Sequence, residues 1–197
     1  MYNLRLEEDL KINGCRKCPA LVACRNDIVI HRGNPKGEVM VIGEAPGVTE
    51  DETGFPFMGK SGKYLDGMLE RIGLTEDQVY ITNAVKCRPP GNRNPTPKEQ
   101  DNCFGYLEEQ MKHVKPKVIL LLGRIAAKSF FDMDGVSLRE MMNGLYYIKE
   151  FPGTAFMVYY HPSYLLRNQH KRQWIRKIEG ELDSWINTAL AASYALK

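Results

Sequence analysis

Three short runs of aliphatic and β-branched residues constrain this chain most: Glu38–Ile42 (EVMVI), Gln78–Asn83 (QVYITN) and Val118–Leu122 (VILLL). The first and third lack the polar alternation of a strand with one wet face. They read as strands buried on both sides, the habit of parallel sheets. Helical patterns fill the gaps. Ser61 is placed to cap a helix that runs to Ile72, with Leu65, Met68, Leu69 and Ile72 on one face and Gly73 as its stop. Thr96-Pro97-Lys98-Glu99 announces another: Thr caps, Pro suits the first helical position, and Glu completes a capping box. That helix should reach about His113, with Cys103 in its second turn. A third follows Gly123, from Arg124 to Phe131. Leu145–Ile148 and Ala155–Tyr160 read as further strands. The tail from about Gln169 to Ala192 is helical, with Trp174, Ile178, Leu182 and Ile186 at helical spacing. Residues 4–12 suit a short helix, Asp27–His31 is apolar before a turn at Gly33-Asn34-Pro35, and Glu44 to about Lys60 reads as loop. Strands alternating with helices predict an α/β sheet layered by helices.

With 197 residues, 43% of them hydrophobic and no linker or repeat, the chain is expected to form one domain, residues 1–197. The net charge of +3 permits a polyanionic partner without demanding one. Basic residues gather in two runs, Lys86 to Lys98 and Lys171 to Lys177, and either run alone reads best as a solvated surface. No apolar run approaches the roughly 18–20 residues that span a membrane, and MYNLRLEEDLK is not a secretory signal. The expected location is cytoplasmic, where thiols stay reduced.

Ligands of such sheets bind beyond the carboxyl ends of the strands. The three most unusual loops are placed there: Glu44-Ala45-Pro46-Gly47, Asn83 to Pro95, and His161-Pro162-Ser163. The cysteines add a second constraint. Cys15 and Cys18 form a C-x2-C pair, while Cys87 and Cys103 stand 15 residues apart on a loop and the helix after it. This pattern favours a metal centre over two small buried residues and leaves zinc and iron–sulfur open. Cys24 reads as a core residue.

Four motifs carry a family likeness: Gly43-Glu-Ala-Pro-Gly47, Gly54-Phe-Pro-Phe-Met-Gly59, Thr82-Asn-Ala-Val-Lys-Cys-Arg-Pro-Pro90 and His161-Pro-Ser-Tyr-Leu-Leu-Arg167. In order and spacing, from about Cys15 to Arg167, the chain resembles the family 4 uracil-DNA glycosylases, the iron–sulfur type of bacteria and archaea. The resemblance implies a three-layer α/β/α sandwich around a four-stranded parallel sheet. It also implies a [4Fe-4S] cluster on Cys15, Cys18, Cys87 and Cys103, which chooses between the metals that spacing left open. The implied reaction is hydrolysis of the N-glycosidic bond of deoxyuridine in DNA, at the start of base excision repair. The partner is uracil-containing DNA, single- or double-stranded, with no membrane involved. A monomer is expected, and a sliding clamp stays open as a further partner.

Such an enzyme must flip the base out, read its edge and stabilise the charge that develops as the bond breaks. The Asn83 amide has the right groups for uracil, donating to O4 and accepting from N3–H, and the resemblance assigns it that role; sequence alone favours an Asn ending its strand in an Asx turn. Phe57 offers a flat face for stacking, and Ala45 belongs to the same site. By resemblance His161 donates to uracil O2. The backbones of Pro46-Gly47 and Pro162-Ser163 suit close approach to phosphate, Arg93 and Arg167 add charge, and Leu165 or Leu166 is a candidate wedge, with Tyr164 as rival. The best-known glycosylases of the superfamily carry an aspartate where this chain has Ala45. Water activation is therefore assigned to Glu44, which could instead hold the loop, and Asn92, with Glu50 a third candidate although Glu50-Asp51-Glu52 reads better as a solvated turn. A related branch captures the sugar through a His in the loop after the second strand; here that loop reads GNRNPTPK, without His, which argues for plain hydrolysis. The rivals are a metal-stabilised DNA-binding or polymerase-associated module that has lost catalysis, and a glycosylase of broader base range.

Overall fold

The structure is a computed structural model that describes residues 14–142 and 144–195. The helix expected over residues 4–12 lies outside them. Four strands form the parallel heart of the sheet: β2 (Val39–Gly43), β3 (Val79–Asn83), β4 (Val118–Leu122) and β6 (Ala155–Tyr159). All are buried along their whole length, as their aliphatic composition requires. Successive side chains point to opposite faces. Val39, Val41, Ile81, Leu120 and Leu122 therefore meet one helical layer, which contains Leu65, Met68 and Leu69 and also Ile178, Leu182 and Ile186. Met40, Ile42, Tyr80, Ile119 and Leu121 meet the other, with Leu107, Met111, Ala126 and Ala127. The architecture is a three-layer α/β/α sandwich.

The sheet is wider than expected. Two-residue strands, β1 (Arg32–Gly33) and β5 (Tyr146–Tyr147), pair antiparallel with β3 and β6, so six strands run in the order β1-β3-β2-β4-β6-β5. Both additions are margin pieces, and the central four strands match the expectation. Ile28 and Ile30 are buried, yet their segment packs as irregular chain against β3 rather than joining the sheet.

Helices α1 (Pro19–Val22), α2 (Val48–Thr53), α3 (Lys60–Arg71), α4 (Pro97–Val114), α5 (Arg124–Lys128), α6 (Leu138–Met141), α7 (Pro162–Arg167) and α8 (Arg172–Ala195) complete the described residues. At α4 the capping box forms as read: the Thr96 side chain accepts from Glu99 N, and Thr96 N donates 2.7 Å to Glu99 Oε2. At α3 the cap is Gly59 rather than Ser61, which sits inside the first turn. The loop expected from Glu44 to Lys60 contains α2.

Candidate active site

Because the central strands are parallel, their carboxyl ends open on one edge, and the three unusual loops meet there. They enclose a cavity of about 490 Å³ whose lining includes Ala45, Gly47, Glu50, Phe57, Asn83, Asn92, His161, Ser163 and Arg167. Asn83 ends β3 directly beside Gly43 of β2. Its side chain is buried, and among the described residues no hydrogen bond ties down the amide, so it is not consumed by an Asx turn. The Asn83 carbonyl accepts from the Lys86 ammonium at 2.5 Å, and that same group donates to Thr82 Oγ1. Lys86 is thus buried rather than part of a solvated basic run, and burial pushes its amine down to about 8.

Phe57 adopts φ +57, a left-handed conformation uncommon outside glycine. Two glycines make room for it. A Cβ on Gly62 would strike the Phe57 carbonyl, and one on Gly43 would strike both the Phe57 ring and Asn83 Oδ1. The ring lies 5.8 Å from that of His161, centroid to centroid. His161 caps α7: its Nδ1 accepts from Ser163 N at 3.2 Å and lies 2.8 Å from Ser163 Oγ. An acceptor at Nδ1 leaves the proton on Nε2, so the neutral ring carries its one donor there. Burial, then the Arg167 charge, pushes its pKa down to about 4.

Glu50 is the residue that sequence reasoning misjudged most. It is no solvated turn. Its Oε1 accepts from Met58 N at 2.9 Å and Gly59 N at 2.8 Å, and its Oε2 accepts from Gly47 N at 3.1 Å. One carboxylate thereby buckles the first motif to the loop that carries Phe57. The next residue, Asp51, is 1% exposed and accepts from Asn26 N and Asp27 N, tying α2 to the arm that follows the first cysteines. The only local signal was the i, i+3 spacing of Gly47 and Glu50, which fits a cap.

Several assigned residues land elsewhere. Glu44 does not line the cavity; it is half-buried and its carboxyl is pushed up by desolvation. Arg93 is engaged with Glu99 through paired contacts of 2.8 and 2.7 Å, which ties it to the first turn of α4 instead of leaving it for phosphate. Leu165 is wholly buried in the core and cannot act as a wedge; Leu166, half-buried, and Tyr164, exposed, are the neighbours that point outward. Pro46 and Pro162 are buried too, so neither residue is itself a rim position. Asn92, at φ +54, does reach the cavity, with its Oδ1 accepting from Arg88 Nε at 2.8 Å.

Cys15, Cys18, Cys87 and Cys103 gather in one apolar cluster with Leu21, Ile28, Ile30 and Val85. Cys24 is half-buried and stands outside that cluster, neither core residue nor member. Donors point at the sulfurs: Arg25 Nη1 at 3.0 Å from Cys87, Lys86 N at 3.4 Å from Cys103 and Asn102 Nδ2 at 3.4 Å from Cys18. Burial pushes the Cys87 thiol up to about 11 and raises Cys103 likewise. Among the described residues no three His, Cys, Asp or Glu side chains form a group that could hold a single ion. Ala45 belongs to both places, lining the cavity and packing on the cysteines.

The site is thus an amide, an aromatic ring and a neutral imidazole around one cavity at the carboxyl ends of a parallel sheet, in an α/β/α sandwich. The family model described as the Uracil DNA glycosylase superfamily matches residues 30–183. The type-4 uracil-DNA glycosylase of Archaeoglobus fulgidus is 40% identical over 167 residues, 83% of each chain. That of Thermotoga maritima is 40% identical over 159 residues, 81% of each. A type-5 enzyme from Thermus thermophilus is 30% identical over 69% of this chain and 77% of its own. The chain belongs to the uracil-DNA glycosylase superfamily, with the type-4 members as its relatives at 40% identity.

Proposed function

We propose that this single-domain protein is a monofunctional uracil-DNA glycosylase of the cytoplasm. It hydrolyses the N-glycosidic bond of deoxyuridine in DNA, releases uracil and leaves an abasic site for base excision repair. One observation carries the reading. Asn83, Phe57 and His161, from three distant motifs, meet at one cavity in a chain similar over most of its length to type-4 uracil-DNA glycosylases.

Each group has a task. The Asn83 amide donates to uracil O4 and accepts from N3–H, a pairing that cytosine reverses. Phe57 stacks against the base. The Nε2–H of neutral His161 donates to O2, where negative charge grows as the base departs. A fixed donor in a water-poor site stabilises that charge far better than solvent does. Asn92 reaches the cavity and is the residue assigned to position water; Glu44 keeps only a loop-holding role. An oxocarbenium-like sugar needs little nucleophilic push, so a positioning amide is enough. Gly47, Ser163 and Arg167 at the rim face the DNA backbone, with the main chain of Pro46 and Pro162 beside them.

Cys15, Cys18, Cys87 and Cys103 are assigned to a [4Fe-4S] cluster, supported by their shared apolar pocket and by the N–H donors aimed at the sulfurs. When bound, the cluster supplies a cross-link between the N-terminal arm, the loop after β3 and α4. The deciding experiment is incubation with single- and double-stranded oligonucleotides that carry one uracil, followed by alkaline strand cleavage. Cleavage at the uracil is expected. Intact strands at every temperature tested, with cluster-loaded protein, would leave the non-catalytic DNA-binding module as the better reading.

A further inference from the structure

Beside the cavity lies an aromatic surface that excision itself does not require. Tyr160 immediately precedes His161, Tyr164 immediately follows Ser163 on α7, and Trp174 lies in the first turn of α8. Their rings form one unit. Tyr160 and Tyr164 stack with centroids 5.1 Å apart and planes 17° apart, and Trp174 meets them edge-on at 5.3 and 6.3 Å. Tyr164 is 39% exposed, so one face of its ring is backed by protein while the ring still meets solvent. Cations flank the unit. Arg167 follows Tyr164 by three residues, hence on the same side of α7, and lines the cavity; Arg139, also exposed, lies within electrostatic reach of the Tyr160 hydroxyl.

We propose that Tyr164, braced by Tyr160 and Trp174, is a stacking platform for an unpaired nucleobase next to the excised one, which makes single-stranded DNA the preferred partner over duplex. The platform rests on the glycosylase reading of the adjoining cavity, because it continues the rim on which that reading places the DNA backbone. The stacking argument is geometric. A base within a duplex has both faces covered by its neighbours and its edge engaged by its partner. A base in a single strand can lie on a ring, and a braced ring loses little side-chain freedom on receiving it. Arg139 and Arg167 supply the positive charge that a strand crossing the rings needs. A wedge would act in the opposite sense: it fills a gap in a duplex, so its loss would weaken duplex binding first.

The test uses DNA without uracil, so that binding is read apart from excision. Wild type, Tyr164→Ala and Tyr164→Phe are titrated with labelled oligothymidylate and with a duplex of equal length, by fluorescence anisotropy. Tyr164→Ala should weaken single-strand binding on the order of tenfold, the effect of one lost base–aromatic stack, and change duplex binding by less than about twofold. Tyr164→Phe keeps the ring and should bind like wild type. In a Trp185→Phe background, oligothymidylate should also quench the remaining indole, Trp174. Equal losses on both DNAs, a loss confined to duplex, no loss, or an indole insensitive to the strand would each overturn the platform. A protein that binds as described yet leaves uracil in place would overturn the activity instead. One that excises uracil while Tyr164→Ala binds normally would overturn the platform alone.

Discussion

At the scale of single residues, the site turns on which hydrogen-bonding groups are already used. The Asn83 amide has no partner among the described residues, while its carbonyl is held by Lys86. Asn83→Asp replaces the donor proposed to meet O4 with an acceptor. Uracil excision should fall on the order of 10–100-fold, as for one buried mismatch, and cytosine, whose N4 donates, should gain entry. Competition assays with uracil- and cytosine-containing strands measure both, and an unchanged preference would remove Asn83 from base reading. His161 is a second case. Its proposed role is that of a neutral donor, and its pKa is pushed down to about 4. Activity should therefore stay level as pH falls through 6 and decline only as it nears 4. A decline centred near the ordinary 6.5 would mean that the ring is solvated at work. The stability sign follows: between about 6.5 and 4 the unfolded chain binds the proton and the folded one does not, so acidification through that window destabilises the fold.

At the scale of elements, α2 shows what sequence could and could not disclose. The four central strands were legible because their aliphatic runs have no other stable home than between two helical layers. The long helix α4 was legible because Thr96, Pro97 and Glu99 write its start locally. Short polar helices gave little such signal: α2 is VTEDET, and beyond the local Gly47 amide on Glu50 what holds it is remote, the Met58 and Gly59 amides on Glu50 and the Asn26 and Asp27 amides on Asp51. Leu165 and Leu166 make the same point, since only the docking of α7 on the core decides which of two adjacent leucines is buried. The carboxylate of Glu50 fixes the loop that bears the strained Phe57. Glu50→Ala should raise the KM for uracil-containing strands by roughly tenfold or more, from losing charged hydrogen bonds worth about 1.5–3 kcal/mol each. Glu50→Gln keeps an oxygen for two of the amides and should fall between. A change in kcat alone, with KM untouched, would move Glu50 from loop positioning into the chemistry.

At the scale of the molecule, the cysteine cluster joins parts that the sheet alone leaves separate. It connects the chain near residues 15–18, the loop after β3 and the face of α4, while Ala45 carries contact through to the cavity. Spacing disclosed the four ligand candidates but not the metal, because thiolates suit either ion. Purified protein should be brown with broad visible absorbance, and a colourless, fully active, zinc-only preparation would refute the iron–sulfur assignment. Cys103→Ser should bleach the colour and lower the Tm by roughly 5–10 °C, a loss of about 2–3 kcal/mol in a chain of this size. A bleached variant with an unchanged melting curve would show that the cluster does not staple the fold.

The glycine at the end of β2 has a consequence for anyone who needs a silent version of this protein. Where most enzymes are disabled by stripping away a reactive group, here one added methyl suffices. Gly43→Ala would occupy the space shared by the Phe57 ring and the Asn83 amide, evicting both from their posts while leaving every polar group of the site in the chain. Such a plugged variant, still coloured and still able to grip a strand at the rim, would be the natural decoy against which uracil-dependent effects can be judged.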